Sequence, residues 1–230
     1  MEMSISCVIP VFNGARFLAE SLDTVFAQTH LPAEVIVVND GSTDATASVA
    51  AGYSTRILYM TQDHAGQSAA RNRGVAAATC EFIAFQDADD LWDSEKLALQ
   101  AARFAARPEL EVSITHVRNF WEPELRHEEE AMQGHLLAKP ALAGYTAQTM
   151  LARRSSFDRV GAFDPLLRSG EDIDWFARAK DASVILELMP EVLVHRRFHH
   201  GNLTRRVQPA AINESLLDSV RRSLERRRQK

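Results

Sequence analysis

Three aspartates, Asp87, Asp89 and Asp90, fall within four positions of the segment FQDADDLW, residues 85 to 92. An apolar run, Phe82-Ile83-Ala84-Phe85, leads into them and Leu91-Trp92 follows directly. Two unit charges about 4 Å apart repel by roughly 1 kcal/mol in water and roughly 4 kcal/mol at an effective dielectric near 20. Acids packed this tightly at the edge of a core call for a positive partner. Along an extended segment side chains alternate faces, which would put Asp87 and Asp89 on one side and Asp90 on another. Their Cα atoms would lie roughly 7 Å apart, a spacing at which two carboxylates can address one divalent cation. Magnesium and similar hard ions take one or two carboxylates, several waters and substrate phosphates. The structural alternative is a helix N-terminus, because acids ahead of SEKLALQ are favoured by the helix dipole. That alternative covers Asp90 or Asp93 but not Asp87.

Four other groups carry polar residues where chemistry could use them. In VIVVNDGSTDAT, Asp40 ends an apolar run and can accept hydrogen bonds from a ribose or a base N–H. The same residues also make a turn, with Gly41 supplying unusual dihedrals and Ser42 or Thr43 capping a helix. In GQSAARNRG, Ala69 and Ala70 let a helix sit close to a sheet and Arg71 projects on the polar side. There it either faces an anionic or carbonyl-bearing ligand or is simply solvated. In SGEDIDWFARA, Ser169 could cap a helix whose first turn holds Glu171 and Asp172; one of these acids could instead be a general base. In HRRFHHGNLTRR, His199, His200 and Asn202 cluster after an expected strand, and histidine there can ligate metal.

These residues need a frame. The first half of the chain alternates strand and helix: strand at 4–10, a helix carrying Leu18, Leu22, Val25 and Phe26 with Asn13-Gly14 as its start and Pro32 beyond its end, strand at 34–39, a short helix through Ala51, strand at 56–60, helix at 66–78 and strand at 80–86. Such alternation predicts βαβ units, an α/β fold with a mostly parallel central sheet, and helices on both faces. Ligands of open sheets lie beyond the carboxyl ends of strands, and Asn13, Asp40 and Asp87 all follow such ends. The second half predicts a helix at 94–107, strands at 111–120, 146–152, 184–188 and 192–197, and a helix at 171–180. Residues 121–139 are polar, acidic and aperiodic, which predicts a loop or mobile flap. From Pro209 an apolar stripe (Ile212, Leu216, Leu217, Val220, Leu224) faces five arginines between Arg221 and Arg228, a basic amphipathic helix spanning 206–230. It suits packing on the domain, a dimer seam, or peripheral contact with an anionic membrane surface.

The 230 residues fit one large domain, and 46% apolar content supports a substantial core. A net charge of -5 argues against nucleic-acid binding. The two cysteines, Cys7 and Cys80, sit in or beside apolar runs, in neither a metal nor a disulfide pattern. No apolar run approaches membrane-span length, and the N-terminus lacks a basic segment followed by a long apolar one. The expectation is a cytoplasmic protein, either free or peripheral to the inner face of the membrane.

In this order, VIPVFN, VVNDGSTD, AARNRG, the DAD of FQDADDLW, the ED of GEDIDWF and RFHHGNLT resemble a family 2 glycosyltransferase of the GT-A fold, over about residues 4 to 204. The resemblance implies a GT-A domain over 1–205, with a nucleotide-binding half at 1–93 and an acceptor-binding half at 94–205. It implies that Pro10, Phe12 and Asn13 border the nucleotide, and that Asp40 binds the uracil of a UDP-sugar with Arg71 nearby. Asp87, Ala88 and Asp89 match the acid-x-acid motif, with Asp89 the direct metal ligand. Asp172 takes the place of the catalytic base, Glu171 binds substrate or shares that role, and His199 assists the metal–diphosphate site. The implied cofactor is Mn2+ or Mg2+, and the positive partner of the acids is that ion. The implied reaction is a metal-dependent, inverting transfer of one sugar from a UDP-sugar to an acceptor hydroxyl on a glycan, lipid-linked glycan, peptide or small molecule. The sequence lacks the Gln-x-x-Arg-Trp motif of the family's processive synthases, so transfer is expected to be non-processive. Two rivals are a catalytically silent nucleotide-sugar or glycan-binding module, and a phosphatase using Asp-x-Asp. In the phosphatase that motif lies on the first βα unit, whereas here it follows the fourth strand.

Overall fold

The computed structural model describes residues 3–202, apart from Arg168, together with Arg221. The amphipathic stretch expected over 206–230 lies outside the described residues. Four parallel strands form one half of the sheet, in the order β3 (Leu58–Thr61), β2 (Glu34–Asn39), β1 (Ile5–Val11) and β4 (Phe82–Phe85). Every residue of β1 and β4 is buried, as befits strands covered on both faces. Beyond β4 the sheet turns mixed. Two strands from later in the chain, β8 (Leu151–Arg153) and β6 (Val112–Trp121), follow in antiparallel steps. Strand β9 (Leu186–Phe198) then runs parallel to β6, and the two-residue β5 (Leu91–Trp92) closes the edge against β9. A two-residue strand, β7 (Leu142–Ala143), pairs with β6.

Side-chain alternation divides the core into two layers. Ile5, Cys7, Ile9 and Val11 of β1 face helix α1 (Leu18–Phe26), α2 (Thr46–Ala51) and α4 (Lys96–Ala106). Val8, Ile36, Val38, Ile83 and Phe85 face α3 (Gln67–Ala77), α6 (Ser155–Val160) and α7 (Glu171–Asp181). Leu18, Leu22 and Val25 repeat at helical spacing and are fully buried, each contributing about 1.5–3 kcal/mol of transfer free energy. Helix α3 lies so close to β1 that a Cβ on Gly74 would stand 2.2 Å from Val8 Cγ1. Glycine there is a packing requirement, and it fixes where the residues of α3 meet the sheet.

Several expectations shift. β3 begins two residues later than the pattern suggested. Within 121–139 there is a short helix, α5 (Arg126–Ala131), flanked by 3-10 turns. The strand expected at 146–152 opens as a 3-10 turn, and only Leu151–Arg153 pairs. The strands expected at 184–188 and 192–197 are one, β9. It passes Pro190 where its register against β6 shifts between Ile114 and His116, so the missing N–H falls in a bulge. The residues at the N-caps of α2 and α7 are Ala45 and Gly170, and at α2 it is Asp44 Oδ1 that accepts from the opening N–H of Thr46, at 3.0 Å, in place of the expected Ser42 or Thr43.

Candidate active site

The carboxyl ends of β1, β2 and β4 open onto one edge. At the end of β1, Asn13 has φ 51, a left-handed conformation that asparagine tolerates. Its Oδ1 accepts from the backbone N–H of Thr43 (2.8 Å) and Asp44 (3.3 Å), while its own N–H donates to Ser42 Oγ at 2.8 Å. The β1 and β2 loops are thereby tied together. Phe12 is exposed, and its ring stacks on His64 with centroids 4.1 Å apart. Asp40 is buried. Gln62 Nε2 and the N–H of Ala65 donate to its Oδ1 at 2.7 and 2.9 Å, the N–H of Gly66 donates to Oδ2 at 2.9 Å, and His64 Nδ1 lies 2.8 Å from Oδ2. Asp40 therefore organises the loop entering α3. The nucleobase contact the resemblance implies would compete with donors already in place, since a carboxylate has about four lone-pair sites.

Arg71 does not project into solvent. Residues Ser68, Ala70, Arg71 and Gly74 form the buried face of α3, and Arg71 is 1% exposed. Its Nη2 donates to Asp87 Oδ1 at 2.8 Å, and its Nη1 reaches Glu171 Oε1 at 3.0 Å and Asp172 Oδ1 at 3.3 Å. One guanidinium thus joins the acid that follows β4 to both acids opening α7. Burial works against its charge, but Asp172, Asp87 and Glu171 together raise its pKa above the usual arginine value. Burial raises Asp172 to about 7 against the opposing pull of Arg71, with Glu171 and Asp87 adding to the rise. A carboxylate held there is suited to accept a proton at neutral pH.

The acidic segment is a turn and not an extended stretch. Asp90 N–H donates to Asp87 O at 3.1 Å, and this turn sends the three carboxylates in different directions. Asp87 meets Arg71, with Gln67 Nε2 also 3.2 Å from its Oδ1. Asp89 has other partners: His199 Nε2 lies 2.9 Å from its Oδ2, and Asn202 Nδ2 donates to the same oxygen at 3.1 Å. Asp90 is buried and serves structure, accepting from Arg197 N–H and Gln148 Nε2, both at 2.8 Å. The dipole reading suits only Asp93, whose Oδ1 accepts from Glu95 N–H just ahead of α4. Asp87 and Asp89 take different partners, while their charges still act on one another, and part of the positive charge comes from the chain itself.

Arg197 escaped the sequence reading. It is buried between the rings of Phe17 and Phe120, 4.7 and 4.8 Å from their centroids. Its Nε donates to Asp89 O at 2.9 Å, Nη1 to Glu122 at 2.5 Å and Nη2 to Glu20 at 2.6 Å. The available signal was its position two residues before His199 on a strand, hence on the same face.

Among the described residues, no three His, Cys, Asp or Glu side chains converge as a metal cluster. Asp89 and His199 are in contact, and Asp87 is paired with Arg71. Gly201 N–H donates to His199 Nδ1 at 3.1 Å, which leaves the proton of the neutral ring on Nε2, directed at Asp89. The side chain of Asp89 is 33% exposed. It is a hard oxygen donor open to solvent, and it fits an ion that draws its remaining ligands from water and a diphosphate.

A mixed sheet of this order, with acids and a buried arginine gathered beyond the carboxyl ends of its parallel strands, is the GT-A architecture. It superposes on Staphylococcus aureus TarS in complex with UDP-GlcNAc with a TM-score of 0.73 at 21% identity, covering 93% of this chain and 64% of that one. The mannosyltransferase PcManGT of Pyrobaculum calidifontis, in complex with GDP-Man and Mn2+, gives 0.72 at 18% identity, over 98% and 65% of the two chains. Residues 6–169 match Glycosyl transferase family 2, and the chain belongs to that family. An uncharacterized glycosyltransferase of Rickettsia typhi is 30% identical over 212 residues, covering 87% of this chain and 65% of that protein. The chain spans about two thirds of the length of that relative. No helix among the described residues is long and apolar enough to cross a membrane.

Proposed function

We propose that this chain transfers a single sugar from a nucleoside diphosphate sugar, UDP-linked in the first instance, to an acceptor hydroxyl with inversion at the anomeric carbon. One observation carries the reading: a single buried arginine holds the acid after β4 and the acids opening α7 in one cluster, and burial keeps Asp172 raised to about 7 despite the arginine's opposing pull. The reading has further support in family membership and in the donors named for TarS and PcManGT.

In this mechanism Pro10, Phe12 and Asn13 border the base and ribose, with Asp40 fixing the loop beneath them. Asp89 would hold the divalent ion, assisted by His199, with Asp87 and Ala88 lining the diphosphate side. When bound, Mn2+ or Mg2+ supplies charge neutralisation for the diphosphate as it departs. Asp172 takes the proton of the acceptor hydroxyl. The oxygen bonds to the anomeric carbon as the bond to the diphosphate breaks, and its electron pair leaves on the phosphate oxygen. Glu171 shares Arg71 with Asp172 and contributes to binding. Arg71 keeps the ionised acids tolerable when they are crowded together. Holding donor and acceptor side by side supplies much of the acceleration.

Thermal shift with a panel of UDP-, GDP- and dTDP-sugars, with and without manganese, followed by hydrolysis and transfer assays on the hits, tests this. Manganese-dependent stabilisation by UDP-sugars with release of UDP is expected. Tight binding with neither hydrolysis nor transfer would restore the silent module, and release of inorganic phosphate without sugar transfer would restore the phosphatase.

A further inference from the structure

A cavity of about 500 Å³ opens between the carboxyl end of β6 and residues 126–140. Trp121 lines it, with Asn119, the cations Arg118, Arg126 and Lys139, and the carboxylates Glu129 and Glu130. Phe198 stacks on the Trp121 indole with ring centroids 5.0 Å apart, which steadies the indole in the wall. Arg118 Nε is anchored to Pro140 O at 3.1 Å. Asn119 is buried: its Nδ2 donates to Leu137 O at 2.9 Å, while its Oδ1 has no donor among the described residues.

We propose that this cavity binds a neutral saccharide ring of the acceptor. The proposal rests on the transferase reading and extends it to the second substrate. A sugar ring offers an apolar C–H face to an indole and a rim of hydroxyls that both donate and accept. The wall supplies the indole, carboxylate acceptors, and guanidinium and ammonium donors. An apolar ligand would strand these charged groups. A polyanion would have to sit against Glu129 and Glu130, whereas three cations facing two acids come close to balance.

The cavity wall is also tied to the reaction edge through hydrogen bonds. Trp121 precedes Glu122, which grips Arg197, and Arg197 donates to the backbone carbonyl of Asp89. Glu122 is held from the other side by Arg16 at 2.9 Å. A ring against Trp121 would therefore sit on a wall whose base is braced to the acidic turn.

Saturation-transfer NMR on the full chain, with methyl glycosides of glucose, galactose, mannose and N-acetylglucosamine as probes, tests the proposal. Inorganic phosphate serves as competitor, and UDP calorimetry runs in parallel. At least one glycoside should bind. Trp121→Ala should weaken that binding about tenfold, and the surface pair Arg126→Ala with Lys139→Ala several-fold, with UDP affinity within twofold of the parent. Trp92 and Trp175 are buried, so a fluorescence change on adding glycoside to the parent protein reports Trp121. The inference is overturned if no glycoside binds, if the Trp121 and paired variants bind as the parent does, or if phosphate displaces the glycosides. UDP binding without glycoside binding overturns the cavity alone and leaves the transferase reading standing. Glycoside binding at Trp121 without UDP binding supports the cavity and overturns the donor assignment.

Discussion

Asp87 and Asp89 stand two residues apart in one turn and live in opposite surroundings. Asp87 belongs to a cluster in which a fully buried guanidinium serves three part-buried carboxylates. Asp89 meets a histidine and an amide at a surface that water reaches. The first is built from the chain's own charges, one guanidinium among three carboxylates. The second is incomplete, partnered by neutral or titratable groups that an exchangeable cation could join. The difference teaches how a fold can crowd acids at a reaction edge: it neutralises the inner one with its own charge and leaves the outer one available.

The largest expected effect comes from removing the inner cation. Arg71→Ala leaves three carboxylates together without their counter-charge and should cost about 3–5 kcal/mol of stability in urea denaturation. Arg71→Lys keeps the charge, loses the fork and should fall between parent and Ala. A loss below about 1 kcal/mol for Arg71→Ala would mean this cluster is not what holds the two halves of the edge.

Asp172→Asn comes next, read in turnover. It should lower transfer by about 100-fold or more while UDP binding stays within twofold. For the parent, the base must be ionised, and burial places Asp172 at about 7. Turnover per bound donor should therefore rise with pH through about 7 and level off above it. A profile flat from pH 5 to 8 would remove Asp172 from the role. His199→Ala is the mildest change: a several-fold rise in the manganese needed for half-maximal turnover, measured by metal titration. Unchanged metal dependence would make the Asp89–His199 contact purely structural.

Much of the frame was legible because it is local. The runs SISCVIPV, EVIVVN and FIAF read as buried strands, and Leu18, Leu22 and Val25 declare a helix face. The polar segment ends then fall on one edge by topology alone. What was not legible depends on partners far away in sequence. Arg71 looks solvated beside AARN because its acids lie 16, 100 and 101 residues further on. The divergence of Asp87 from Asp89 follows from a turn that the alternation rule for extended chain does not describe. Pro190 suggests two strands because it cannot donate to a ladder, yet a bulge accommodates it within one. Arg197 gave no signal beyond its spacing from His199, since Phe17, Glu20, Phe120 and Glu122 converge on it only in the fold.

The most direct test is calorimetry of UDP binding, with and without manganese, on Asp89→Ala beside the parent. Asp89 is part-exposed, so its replacement should cost about 1 kcal/mol of stability or less and leave a folded protein. The account predicts that manganese strengthens UDP binding to the parent and does nothing for the variant. Equal enhancement by manganese in both proteins would contradict it.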